Sequence, residues 1–101
     1  MVYKIIVSPR AQNEISKAID FYAIHSVDAP SNFIIQLQKG YRILGINPFF
    51  RIYYQEVRAV KLKKFPYSLF YTIDENKSCV RILSCFHSKR NPKKKTLKFL
   101  N

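Results

Sequence analysis

Acidic residues are scarce in this chain: six Asp and Glu stand against eighteen Lys and Arg, a formal net charge of +12. The imbalance is uneven, with six basic and four acidic residues in 1–56 (net +2) and twelve against two in 57–101 (net +10). Such a surface attracts polyanions at long range, whether nucleic acid, a ribosome or an acidic protein segment, and its self-repulsion opposes folding. Glycine is equally sparse. Two glycines and five prolines beside 15% aromatic residues exclude a disordered or low-complexity chain. Runs of apolar residues stay well short of the ~18 that a membrane span needs, and Met1–Val7 lacks the layout of a signal peptide, so a cytoplasmic location is expected and no membrane partner.

Cysteine and histidine are too few for a disulfide framework or a metal site. If Cys79 and Cys85 share a strand, six residues at ~3.3 Å each hold them roughly 20 Å apart, beyond the ~7 Å that a bridge tolerates. Both are read as small apolar residues. His25 and His87 lie far apart in sequence, and neither Cys-x-x-Cys nor His-x-x-x-His occurs. No metal or cofactor is expected.

What is present suffices for one core. At 101 residues and 48% hydrophobic, the chain should bury roughly two-thirds of its unfolded surface as a single domain over 1–92, with a basic tail over 93–101. Tyr3–Val7 is a β-rich run. Ser8 can cap a following helix whose first turn accepts Pro9. Ala11, Ile15, Ala18, Ile19 and Tyr22 recur at helical spacing, so this helix extends to about Ile24. Asp28 is the expected N-cap of a second helix, with Pro30 in its first turn and a stripe of Phe33, Ile34, Leu37, Tyr41 and Leu44. Gly45-Ile46-Asn47-Pro48 stops it. Strands are then predicted over Val57–Phe65, Tyr67–Asp74 and Cys79–His87, the last two joined by Asp74-Glu75-Asn76-Lys77 as an antiparallel hairpin. Thr96–Asn101 is left between a half-turn and a frayed end. The reading is an α+β fold, β-α-α-β-β-β, with a helical hairpin packed on one face of a mainly antiparallel sheet.

Several segments in this order resemble the RelE/ParE toxin superfamily. SPRAQNEISKAIDFY is similar to its capped first helix, and NPFFR to the close of its second. VRAVKLKKFPYSLFYTID resembles its second and third strands, and VRILSCFHSKRNP the fourth with its terminal His and Arg. The set spans about residues 3–92, and the first helix and FPYSLFY look closer to the ParE branch. The resemblance implies a bacterial type II toxin neutralised by a cognate antitoxin with an acidic toxin-binding segment. RelE-like members cut mRNA in the ribosomal A site, whereas ParE-like members inhibit DNA gyrase by binding.

The residues bear on both readings. A metal-free ribonuclease must activate a 2′-hydroxyl, stabilise charge on a crowded phosphate and protonate the leaving oxygen. Candidates for that work are His87, Arg81, Arg58, Lys61 and Lys63. Strand alternation puts Lys61 and Lys63 on the face opposite Val60 and Leu62, and Arg81 with His87 on one face if no bulge intervenes. Yet an imidazole at a strand end equally satisfies a backbone carbonyl. Ribosome-cutting members also tend to carry a Tyr or similar group near the C-terminus, and none follows His87. For a binding inhibitor only a surface is needed, and Lys61, Lys63, Arg81 and Arg90 are the candidate target-binding cations. Gyrase as the target rests on the resemblance alone. Phe49, Phe50, Tyr53 and Tyr54 crowd a connecting segment without a clean period, so part of that segment is expected to stay exposed as an antitoxin-docking patch. A plain nucleic-acid-binding module finds no support in a helix-turn-helix, RRM or zinc signature.

Overall fold

In the computed structural model, which describes residues 2–88, strand β1 (Lys4–Val7) runs directly into helix α1 (Pro9–His25). Ser8 makes the join. Its Oγ accepts from the Ala11 N–H at 3.1 Å and donates to the Leu83 carbonyl at 3.1 Å, tying helix start to sheet. Pro9 occupies the first turn, where a missing N–H costs nothing.

Helix α2 (Ala29–Ile46) follows after a short bend. Its start corrects the expected cap. Asp28 already has helical dihedrals (φ −94°, ψ −22°) and makes no side-chain capping bond. A cap needs extended backbone so that its side chain can reach the free N–H groups. Ser26 takes that role, its Oγ accepting from Asp28 N at 3.3 Å and Ala29 N at 3.2 Å.

Four further strands complete the sheet: β2 (Ile52–Tyr54), β3 (Val57–Lys61), β4 (Tyr67–Asp74) and β5 (Cys79–His87). Their order is β1-β5-β4-β3-β2, with β1 parallel to β5 and the other pairs antiparallel. The α+β reading holds, with one strand more than expected. β2 forms because Gln55, at φ 52°, turns the chain back on β3. β3 is shorter than Val57–Phe65: beyond Lys61 the Leu62 N–H bonds to the Tyr67 carbonyl, and Lys64 turns at φ 68°. That turn drops Phe65 against Tyr22 and Phe33, with ring centroids 5.1 and 5.3 Å apart.

The helices cover one face of the sheet. Ala11, Ala18, Phe33, Leu37 and Leu44 meet Leu62, Leu69, Tyr71, Val80, Ile82 and Cys85 there, all buried. Each fully buried Leu or Phe contributes about 1.5–3 kcal/mol, so this layer carries the fold. The opposite face stays open except for a small cluster of Val57, Phe70 and Phe86. Both cysteines are buried free thiols. No helix among the described residues is long and apolar enough to cross a membrane. The tail over 93–101 lies outside the described residues.

Candidate functional site

One extra residue in β5 decides where the candidate groups go. Tyr71 pairs with Ile82, but its neighbour Phe70 pairs with Ser84, leaving Leu83 as a bulge. Alternation therefore changes phase within the strand. Val80 and Ile82 face the helices before the bulge and Cys85 after it. His87, opposite Tyr67, follows Cys85 to the helix side, its ring 5.0 Å from that of Tyr67. Arg81 faces the other way. The expectation that Arg81 and His87 share a face is thus corrected, because its condition, an unbroken strand, is not met.

His87 lines a cleft of about 250 Å³ between α1 and the end of β5, with Arg10, Asn13, Glu14, Lys17, Phe21 and Tyr67. Arg81, opposite Thr72, borders a shallow depression with Glu56, Asp74 and Glu75. The three carboxylates on that lining oppose a phosphate there.

Arg58 is turned inward to the chain. Its Nη1 donates to the Phe50 carbonyl at 2.6 Å, and the guanidinium lies 5.3 Å over the Phe49 ring. It holds the segment before β2 in place. Lys61 lies on the open face, in a cleft of about 360 Å³ with Arg51, Tyr53, Ser68, Phe70 and Phe86. Lys63 is exposed in the turn beyond β3. Arg90 lies outside the described residues. The cations proposed for one phosphate are therefore dispersed over two sheet faces and a turn.

The aromatic segment is part-exposed: Phe49 by 49%, Phe50 38%, Tyr53 43% and Tyr54 44%, with Ile52 beside them. Tyr71 explains why the rest of the segment is fixed. Its buried hydroxyl donates to the Pro48 carbonyl at 2.6 Å, and burial pushes its pKa up against the opposing pull of the Phe50 backbone and Arg58. β2 is an edge strand; the Tyr53 ring lies 5.0 Å from that of Phe70 on the open face, and Phe49, ahead of β2, meets Tyr3 edge-on at 6.1 Å.

Sequence reasoning missed Glu14. Its Oε1 accepts from Ser84 Oγ at 2.7 Å and from the Cys85 N–H at 3.0 Å, and its other oxygen is 3.7 Å from Arg10 Nε. Burial, with a smaller effect of this carboxylate, pushes the Cys85 thiol up to about 12. The neutral thiol there is a packing group. It also missed Arg10, Asn13, Lys17 and Arg51. Helical spacing puts the first three on one side of α1, but only the folded strand shows what they face. Among the described residues no group of three or more His, Cys, Asp or Glu could hold a metal.

The model of a family described as the ParE toxin of type II toxin-antitoxin system, parDE, matches residues 5–92. Among solved structures, the chromosomal ParDE toxin–antitoxin system from P. aeruginosa superposes with a TM-score of 0.67 at 13% identity, over 87% of this chain and 98% of that one. The isolated E. coli RelE toxin gives 0.62 at 18% identity, over 98% and 99%. At these identities the likeness is one of fold. No curated protein matches the chain.

Proposed function

Because the chain belongs to the ParE toxin family of type II toxin–antitoxin systems, we propose that it acts by binding and inhibiting DNA gyrase and is neutralised by a cognate antitoxin. The observation that supports inhibition by binding is the bulge at Leu83. Ribonucleolysis without a metal needs a proton-transfer group within hydrogen-bond reach of the same phosphate that its cations hold. Here the imidazole of His87 and the guanidinium of Arg81 point to opposite faces, Arg81 shares a depression with Glu56, Asp74 and Glu75, and Arg58 is engaged with the Phe50 carbonyl.

The two partners have adjoining surfaces available, with Tyr53 common to both. Lys61 and Arg51 on the open face present positive charge beside Tyr53, Phe70 and Phe86, a polar-and-aromatic patch suited to a large target. Lys63, exposed in the turn beyond β3, and Arg81, on the same open face as Lys61, are further candidate target-binding cations. Phe49, Phe50, Tyr53 and Tyr54 at the β2 edge suit an antitoxin segment that is apolar in contact and acidic in charge.

Purified chain added to gyrase and relaxed plasmid tests the reading directly. Supercoiling should stop at near-stoichiometric toxin and resume on adding antitoxin, while mRNA in a translating lysate remains whole. Cleaved mRNA with unaffected supercoiling would instead identify a RelE-like ribosome-dependent endonuclease.

A further inference from the structure

The open face of the sheet is polarised along its length. Tyr67, Leu69 and Tyr71 of β4 are buried under the helices, so alternation places Ser68, Phe70, Thr72 and Asp74 on the open side. Lys61 pairs with Ser68 at one end of this row, and six residues at ~3.3 Å each put Asp74 roughly 20 Å away. The Lys61 end is cationic. Arg51 and Lys61 line its cleft of about 360 Å³, and no carboxylate does. Phe70 and Phe86 form the apolar floor there, with the part-exposed Tyr53 ring 5.0 Å from that of Phe70. The Asp74 end has the reverse balance: Glu56, Asp74 and Glu75 border its depression against the single cation Arg81.

A uniformly cationic face would suit any polyanion. The change of sign opposes a partner that carries one charge throughout. Nucleic acid places a negative charge every ~3.4 Å of axis on each strand, so a strand lying along β4 would bring phosphates onto Glu56, Asp74 and Glu75. A polypeptide can reverse its charge over the same distance, which about six extended residues span. A carboxylate beside an apolar side chain would meet Arg51 or Lys61 and cover Tyr53 at once. We infer that the open face takes a polypeptide segment of split charge, acidic and apolar over Arg51, Lys61 and Tyr53 and basic over Glu56, Asp74 and Glu75. This rests on the target-binding role proposed above for the same face, and it assigns the contact to the target's protein rather than to its DNA.

The probes are the octapeptide Glu-Glu-Leu-Phe-Ser-Ser-Lys-Lys, its reversed sequence and a single-stranded DNA octanucleotide, each titrated at fixed ionic strength into the full-length ¹⁵N-labelled chain. One of the two peptide directions is expected to give saturable shifts at Lys61, Ser68, Thr72 and Asp74. Lys61→Ala and Glu75→Gln alter exposed positions. Each should weaken peptide binding about two- to fivefold, the range of a solvent-exposed ion pair. Glu75→Gln separates the two kinds of partner by sign, since removing a carboxylate weakens the hold on a basic peptide end but tightens the hold on a polyanion. Absence of shifts at these four residues with both peptides overturns the inference. So does peptide binding that neither substitution weakens, or an octanucleotide bound at the same residues more tightly than either peptide. Peptide binding as expected, in a chain that leaves gyrase supercoiling untouched, would uphold the split-charge surface and refute only the target proposed above.

Discussion

Arg81 and His87 lie on opposite faces of the sheet, although their even separation would put them on one face of a regular strand. The intervening Leu83 bulge is fixed from outside: Ser8 donates through its backbone N–H to Ile82 and through Oγ to Leu83. Their environments differ accordingly. His87 packs edge-on against Tyr67, whereas Arg81 is exposed. An aromatic pair of this kind contributes about 0.5–1.5 kcal/mol. His87→Ala should therefore lower Tm by several degrees, at roughly 4–8 °C per kcal/mol for a domain of this size. Arg81→Ala should stay within about 0.5 kcal/mol of the parent. Equal losses in thermal unfolding would contradict the two-face placement.

Glu14 links α1 to the same strand. Its Oε1 is the partner of both the Ser84 hydroxyl and the Cys85 N–H, two groups in a buried stretch of β5. Glu14→Ala leaves both without that partner, at about 1–3 kcal/mol for each desolvated group. Glu14→Gln retains an acceptor oxygen and should lose markedly less. Urea unfolding of the two variants checks the order, and a Gln variant as weak as the Ala variant would mean that charge, not acceptance, holds the strand.

At the β2 edge, four aromatic rings are each between 38% and 49% exposed within six residues. Aromatic side chains dominate the energetics of interfaces when a partner covers them. Tyr53→Ala with Tyr54→Ala should weaken antitoxin binding at least tenfold by calorimetry, while circular dichroism stays that of the folded parent. Unchanged affinity in a folded variant would remove this edge from the antitoxin interface.

How much of this was legible in the sequence depends on the range of the interaction concerned. Ser8 and Pro9 announced α1 because a cap is a local device. Ser26 and Asp28 are equally good caps by type, and only the dihedrals at Asp28 decide between them. β2 escaped notice because Ile52–Tyr54 has no polar alternation, every residue being exposed and its pairing with β3 irregular. The bulge left a trace, an adjacent Ile82-Leu83 pair after which the buried positions move from 80 and 82 to 85. That trace could be read as a phase change, but the face each residue takes follows from pairing with β4. The α1–β5 cleft was unreadable for the same reason, since its two walls are some 70 residues apart in the chain, as the Glu14–Ser84 bond shows.

Burial of neutral acids sets the behaviour of the fold at high pH. Burial first, then Glu14, raises the Cys85 thiol from 9.0 to about 12. Burial first, then Cys85, raises Tyr41 from 10.0 to about 12. Below pH 9 the native and unfolded chains both keep the Cys85 proton, and the full contribution is present. As pH rises past 9.0 the unfolded chain ionises while the native thiol does not until about 12, so stability falls through that window. The limiting slope is about 1.4 kcal/mol per pH unit for one group. Half-buried Tyr41 adds to the fall from pH 10.0 upward, more weakly because solvent screens it. Between pH 9 and 10 the Cys85 thiol thus acts ahead of Tyr41. Urea midpoints across that interval should fall more steeply for the parent than for Cys85→Ala, whatever the difference in their absolute stability. Parallel slopes would show that the thiol is not held neutral by its burial under α1 and α2.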